Sequence, residues 1–182
     1  MRQRKPFFAP VWAFVFAALV AVGLIAAALW TVSRATTTTV VLVRHAEKQL
    51  GTIADPPLTP VGEERAERLV KLFGDNGAFG RIDAIYVSNT RRSQQTAAPL
   101  ARRLGLTPIV SAEKPAGLAR QVLREHGGQR VLVVGHSNTV PALVGALAGA
   151  NDVPSIADDE YGTVYVVAIP AFGASSVLRA RY

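Results

Sequence analysis

Residues 39–48, TVVLVRHAEK, decide how the rest of the chain is read. Val40, Val41, Leu42 and Val43 form an unbroken apolar run that stops at Arg44-His45. Such a run has the composition of a strand buried on both faces, as in a parallel sheet. In open α/β sheets the carboxyl end of a strand is where ligands bind. A second run, VLVVGHSN over 131–138, has the same form and sets His136 at its own carboxyl end. Two strands thus each deliver a histidine to one sheet edge.

Outward from these runs, strands alternate with helices. Thr59-Pro60 opens a helix, with Thr as cap and Pro in the first turn. Ala66, Leu69, Val70 and Phe73 keep helical spacing up to Gly74. Residues 82–87 read as a strand. A helix is expected from Arg91 to Leu104, closed by Gly105, and Pro99 inside it predicts a kink or a break. Residues 107–110 form a short strand and 115–125 a helix with Leu118, Val122 and Leu123 facing inward. Residues 130–135 carry His136, and a helix follows over 139–148. The loops are 49–58, with Gly51, Pro56 and Pro57, and 151–162, which is acidic and irregular. Residues 163–169 and 175–181, joined through Pro170 and Gly173, read as two late antiparallel strands. The pattern predicts an α/β fold, a three-layer α/β/α sandwich with a mostly parallel central sheet and an antiparallel edge.

The amino-terminal part has different physics. Residues 11–32 are almost wholly apolar and uncharged, and at ~1.5 Å per residue they span roughly 33 Å, enough for a hydrocarbon core of ~30 Å. Trp12 and Trp30 fall near its ends, where aromatic rings favour the interface. The competing reading is a cleaved signal peptide with Ser33-Arg34-Ala35 as its site, but a signal core usually has ~7–15 residues. The expected organisation is a cytoplasmic basic tail over 1–10, a transmembrane signal anchor over 11–32, a linker over 33–38 and one domain over 39–182. Arg2, Arg4 and Lys5 ahead of the span place the amino terminus in the cytoplasm and the domain on the far side, periplasmic or cell-surface in a bacterium.

The formal net charge is +7, and three of those charges precede the span. The remaining excess of about +4 forms no dense basic stripe with interleaved aromatics, so no nucleic-acid partner is expected. The chain has no cysteine, which excludes disulfides and thiolate chemistry.

If the sheet is parallel, Arg44-His45, the segment 88–92 and Gly135-His136-Ser137 share an edge with helix starts beside them. Arginines bind phosphate bidentately, and helix amino termini add oriented N–H groups. An imidazole within such an edge can attack phosphorus, giving a phosphoenzyme that water hydrolyses.

Four motifs, LVRHAEK, LTPVGEERAERL, YVSNTRRSQQTAAPLA and VVGHSN, taken in order and spacing, resemble the histidine phosphatase superfamily, also called phosphoglycerate mutase-like. Ala46, where many members carry glycine, resembles the small phosphatase branch. The resemblance implies that His45 is the phosphorylated nucleophile, preceded by the pocket arginine Arg44. The family pattern sets the next pocket arginine four residues before a Thr-Ala pair, which selects Arg92 ahead of Thr96-Ala97 and leaves Arg91 a lesser role. His136 matches the second histidine, expected protonated beside the phosphoryl group, and Ser137 joins Arg44, Arg92 and His136 in holding phosphate. Many members carry a glutamate proton donor in a long insertion after the third strand. Here that segment is short and Glu113 is its sole carboxylate, with Glu47 and the Asp158-Asp159-Glu160 cluster as rivals, or no acid at all for a good leaving group.

Other charged residues have plainer readings. His126 is expected to be a solvated helix-end residue, and Arg102-Arg103 an ordinary charged face. No HxxxH or HxH spacing supports a metal site, and no cofactor is expected. The sequence therefore predicts a membrane-anchored phosphatase acting on a phosphorylated small molecule, glycan or protein. The alternatives are a phosphate-recognising binding protein with little turnover, or a phosphomutase. The latter is disfavoured because the chain lacks the insertions with which mutases enclose substrate.

Overall fold

The computed structural model describes residues 11–51, 54–75, 77–150 and 152–182. Arg2, Arg4 and Lys5 of the expected tail lie outside the described residues, as do Thr52, Ile53 and Asn151 in the two loops. The chain divides into two units, Met1–Ala35 and Thr36–Tyr182. In the first, α1 (Val11–Ala35) is helical for three residues beyond the expected span. The linker is correspondingly shorter, since the first strand of the second unit already begins at Thr38.

Among the described residues the second unit holds six strands and four helices. Its strands are β1 (Thr38–Arg44), β2 (Ala84–Val87), β3 (Ile109–Val110), β4 (Arg130–Gly135), β5 (Thr163–Ile169) and β6 (Ser176–Arg181). Its helices are α2 (Pro60–Phe73), α3 (Arg91–Leu104), α4 (Pro115–Glu125) and α5 (Thr139–Ala148). The sheet order is β3-β2-β4-β1-β5-β6. β3, β2, β4 and β1 are mutually parallel, and β5 pairs antiparallel with both β1 and β6. This is the α/β arrangement read from the alternation of elements.

Each strand faces two cores because side chains alternate across a sheet. Val40 and Leu42 pack with Tyr86, Val131 and Val133 under α4 and α5, through Leu118, Val122, Leu143 and Val144. Val41 and Val43 point the other way, with Ile85, Leu132 and Val134, under Leu69 and Phe73 of α2 and Leu100 and Leu104 of α3. Burial on both faces is why these strands read as continuous apolar runs.

The helix ends follow local chemistry. The Thr59 hydroxyl accepts the Gly62 N–H at 3.1 Å and caps α2. Gly105 closes α3 in the left-handed conformation. A kink or break at Pro99 was expected, but α3 continues through it without interruption to Leu104. Ala97, Leu100, Ala101 and Leu104 bury the helix against the sheet on both sides of the proline, which offsets one missing backbone hydrogen bond.

Candidate active site

The parallel register of β1 with β4 builds the centre of the site. Arg44 is the registered partner of Gly135, so the next residues, His45 and His136, leave adjacent strands side by side. Their ring centroids lie 5.3 Å apart, close to the spacing of neighbouring strands. The backbone N–H of His45 donates to the Gly135 carbonyl at 2.9 Å and extends the ladder past the strand end.

His45 is almost fully buried. Its Nδ1 lies 2.8 Å from the carbonyl oxygen of Ala46. A carbonyl only accepts, so Nδ1 carries the proton and Nε2 keeps its lone pair. The Ala46 N–H is held by the Thr96 hydroxyl at 2.9 Å, and that hydroxyl donates to the Arg92 carbonyl at 2.7 Å. One threonine on α3 thus fixes the turn that aims His45. Burial, with Arg92, His136 and Arg44 adding to it and outweighing the Ala46 bond, lowers the His45 pKa to about 4. The imidazole is therefore neutral at pH 7.

His136 is also lowered, first by burial and then by Arg92, Arg44 and Lys48. Burial and these three cations disfavour a further positive charge on His136 in the free site. Its turn is fixed by Thr139, whose hydroxyl accepts the His136 N–H at 2.9 Å.

Arg44 and Arg92 both lie near His45. Arg44 is buried, and its Nη1 donates to the carbonyls of Ala157 and Glu160 at 2.7 and 3.0 Å. Its guanidinium lies 4.4 Å over the ring of Tyr161, which also flanks His45 at 6.4 Å between centroids. Arg92 points toward the histidines, whereas Arg91 is exposed. The Nε atoms of Arg44 and Arg92 are both buried without a hydrogen-bond partner among the described residues. Buried donors left unpaired are costly in a folded protein and mark a place for an acceptor.

Three contributors were missed by the sequence reading. Asp55, from the loop 49–58, accepts the Arg91 N–H at 2.9 Å and lies 3.4 Å from Arg92 Nη1. It caps α3 from outside, where Thr90 makes no side-chain cap bond. Tyr161 and Lys48 are the other two: only proximity in the fold marks Tyr161, while Lys48 closes the same motif as His45. Ser88, Thr90 and Ser93 form a hydroxyl cluster, 2.8–3.1 Å between oxygens, that shapes the turn into α3.

The rival carboxylates separate. Burial pushes the Glu47 pKa up, but its hydrogen bonds with Arg65, 2.6 to 2.9 Å, outweigh this and leave it below the usual range. Glu160 is tied to Thr163, Arg179 and Arg181. Asp158 lies 3.4 Å from the Ser137 hydroxyl, which places Ser137 beside His136 on a hydrogen-bonded loop. Glu113 lines a narrow cleft together with Ser88, Ser111, Leu143 and His136. His126 sits at the other end of α4, half-buried, against Tyr86 and Gln129. Arg102 and Arg103 are exposed and face Glu67 and Asp75.

A family model described as histidine phosphatase superfamily (branch 1) matches residues 40–115. No curated protein matches the chain in sequence. Solved structures share the fold. The protein histidine phosphatase SixA complexed with tungstate superposes with a TM-score of 0.65 at 21% identity, covering 79% of this chain and 96% of that one. The alpha-ribazole phosphatase from Shigella flexneri gives 0.62 at 20% identity, covering 79% and 96%. A mycobacterial glucosyl-3-phosphoglycerate phosphatase gives 0.62 at 14% identity, covering 80% and 98%. The family-model match over residues 40–115 and the shared fold agree with the resemblance that the four motifs carry.

Proposed function

We propose that the protein is a phosphatase that hydrolyses a phosphomonoester, or a phosphoprotein, through a phosphohistidine at Nε2 of His45. The observation that carries this reading is the pairing of a buried, neutral imidazole with two buried arginine Nε donors that lack partners among the described residues. A phosphoryl group supplies the missing acceptors and the electrophile together. In this reading Arg44, Arg92 and Ser137 hold the non-bridging oxygens. Bound dianion draws a proton onto His136, which then stabilises charge on the transferring group.

The reaction has two balanced steps. His45 Nε2 forms a bond to phosphorus as the bond to the leaving oxygen breaks, and that oxygen takes a proton from Glu113. Water then attacks phosphorus, gives its proton to the Glu113 carboxylate, and releases His45 and phosphate. Glu113 is favoured over Glu47 and Glu160 because those two are already committed to arginines.

The chain is further proposed to stay in a membrane through α1, as a single-pass protein with its amino terminus in the cytoplasm and residues 39–182 outside it. The apolar stretch Val11–Val32 supports this reading, and a signal sequence has the same composition. Retention of the full chain in washed membranes, with an export-dependent reporter at Tyr182 active, checks it. Reporter activity only in the cytoplasm would reverse the orientation.

The chemistry is tested by trapping ³²P on the wild type and on His45→Ala. The expected adduct is acid-labile, base-stable and lost in the variant. A labelled His45→Ala protein would remove His45 from the role.

A further inference from the structure

The sheet edge that carries the histidines continues past His136, away from His45. The Ser88 N–H donates to the Val134 carbonyl at 3.3 Å and the Ser111 N–H to the Val87 carbonyl at 2.9 Å, so the ladder runs one residue beyond β2 and β3 as it does beyond β1. Ser111, Ser88 and His136 therefore stand in a row at neighbouring strand ends. Beneath this row a cleft enters the unit between the sheet and the amino-terminal halves of α4 and α5. Its floor is Val87, Leu118, Val133, Val140 and Leu143, all buried. Its rim is Ser88, Ser111, Glu113, His136 and Thr139, all partly or wholly exposed. Among the described residues that line it, Glu113 is the one carboxylate, and there is no lysine or arginine.

The rim hydroxyls already have partners within the chain. Ser88 Oγ donates to Ser93 Oγ at 2.8 Å, Thr139 Oγ1 accepts the His136 N–H at 2.9 Å, and Ser111 Oγ accepts the Glu113 N–H at 3.2 Å. An apolar floor under an engaged rim suits an apolar group and penalises a second polar one. The cleft is small, with a volume of about 70 Å³. A dry cavity of ~150 Å³ holds benzene, so by proportion this one holds about three carbons. Gly135 helps to set that width, because a Cβ there would lie 2.9 Å from Thr139 Oγ1 and 3.2 Å from Val140 Cγ2. The glycine lets the start of α5 close down on the end of β4.

We propose that this cleft receives the leaving group, and that the substrate is a phosphomonoester whose alcohol carries a short, unbranched, uncharged alkyl segment next to the ester oxygen. This rests on the phosphatase reading of the site, in which His45 attacks phosphorus and the leaving oxygen faces Glu113. Glu113 and His136 share the rim, so a phosphoryl group held by Arg44 and Arg92 turns its ester oxygen toward the rim. The first carbons of the alcohol then lie on Leu118, Val140 and Leu143. A carboxylate, a second phosphate or a hydroxyl on those carbons meets a floor with nothing to pair it, and a ring exceeds the volume. Leu118, Val140 and Leu143 are thereby specificity-determining residues.

The test is hydrolysis of methyl, ethyl, propyl, butyl and hexyl phosphate by the full chain, read as released inorganic phosphate, with p-nitrophenyl phosphate as reference. Leaving-group reactivity hardly changes along the alkyl series, so differences in kcat/KM report the cleft. A buried methylene is worth about fourfold, so kcat/KM should rise on the order of 10-fold from methyl to propyl phosphate and then level off. 2-Hydroxyethyl phosphate, equal in length to propyl phosphate, should be slower by about tenfold. Val140→Ala widens the floor and should carry the rise about one carbon further. Where that variant does not fold, the wild-type series decides alone. A flat series, a rise that continues through hexyl phosphate, or no turnover of any alkyl phosphate would overturn the proposal while turnover of p-nitrophenyl phosphate left the phosphatase reading standing. A plateau unmoved in folded Val140→Ala would place the alkyl group outside this cleft. Turnover of none of these substrates, p-nitrophenyl phosphate included, would remove the phosphatase reading and this proposal together.

Discussion

His45 and Ala46 are neighbours in the chain and hydrogen-bonded to each other, Nδ1 donating to the carbonyl oxygen across 2.8 Å. This fixes one tautomer and leaves Nε2 as the basic nitrogen. With the pKa of His45 lowered to about 4, kcat/KM should not fall on the acid side as pH passes the ordinary histidine value of ~6.5. The pH–rate profile should hold its acid limb until about pH 5 or below. A limb centred at 6.5 would show that His45 titrates normally and that the tautomer argument fails.

The same shift has a sign in stability. Between pH 6.5 and about 4 the unfolded chain binds a proton at His45 that the folded chain does not. Stability therefore rises with pH across that window and is lost as pH falls through it. A shift of this size corresponds to about 3 kcal/mol at most. His45→Gln, which keeps a buried amide in place of the imidazole, should flatten the dependence of the urea midpoint on pH between 4 and 6.5. An unchanged slope would place the titration elsewhere.

Arg91 and Arg92 are adjacent in sequence and opposed in burial. Arg92→Lys keeps a charge and loses the planar fork, and should lower kcat/KM by on the order of 10²-fold, about 2.7 kcal/mol of transition-state stabilisation. Arg91→Lys should change it by less than about threefold, because what Arg91 contributes to the cap is its backbone N–H. Measuring both variants on one substrate decides the matter; greater damage at Arg91 would undo the pocket assignment.

Glu113 is tested by the leaving group. Glu113→Gln should slow hydrolysis of an alkyl phosphate by about 10²-fold and leave p-nitrophenyl phosphate within about threefold, since nitrophenolate departs without a proton. Equal losses on both substrates would mean that Glu113 shapes the cleft and does not transfer a proton.

Asp55 reaches α3 from 36 residues away and supplies its amino-terminal cap. Asp55→Ala should cost about 1 kcal/mol, seen as a drop of roughly 2–4 °C in Tm. Its contact with Arg92 is solvent-exposed and should contribute little, so KM should move by less than about threefold. Asp55→Asn, which keeps an acceptor, should lose less than the alanine variant. Identical melting temperatures for wild type and Asp55→Ala would remove the cap.

What the sequence determined by itself is what short-range physics controls. The spans of α3, α4, β4, α5 and β5 were legible to the residue, because apolar period and closing glycines act within a few positions. The parallel order and the two histidines at one edge followed from strand runs buried on both faces. The choice of Arg92 over Arg91 came from the family pattern that the sequence resembles, and the fold puts Arg92 near the histidines and leaves Arg91 exposed. Only the tertiary structure decided the rest. Glu47 is paired with Arg65, 18 residues away, and Arg44 is anchored to carbonyls 113 and 116 residues away. Pro99 is tolerated because packing on either side of it outweighs one lost bond. Tyr161 and Asp55 come near the histidines through chain closure alone, and the lowered pKa of His136 follows from burial and from cations of the 44–48 stretch and α3. Charge and desolvation act through space, so they appear only when the chain has brought distant residues together.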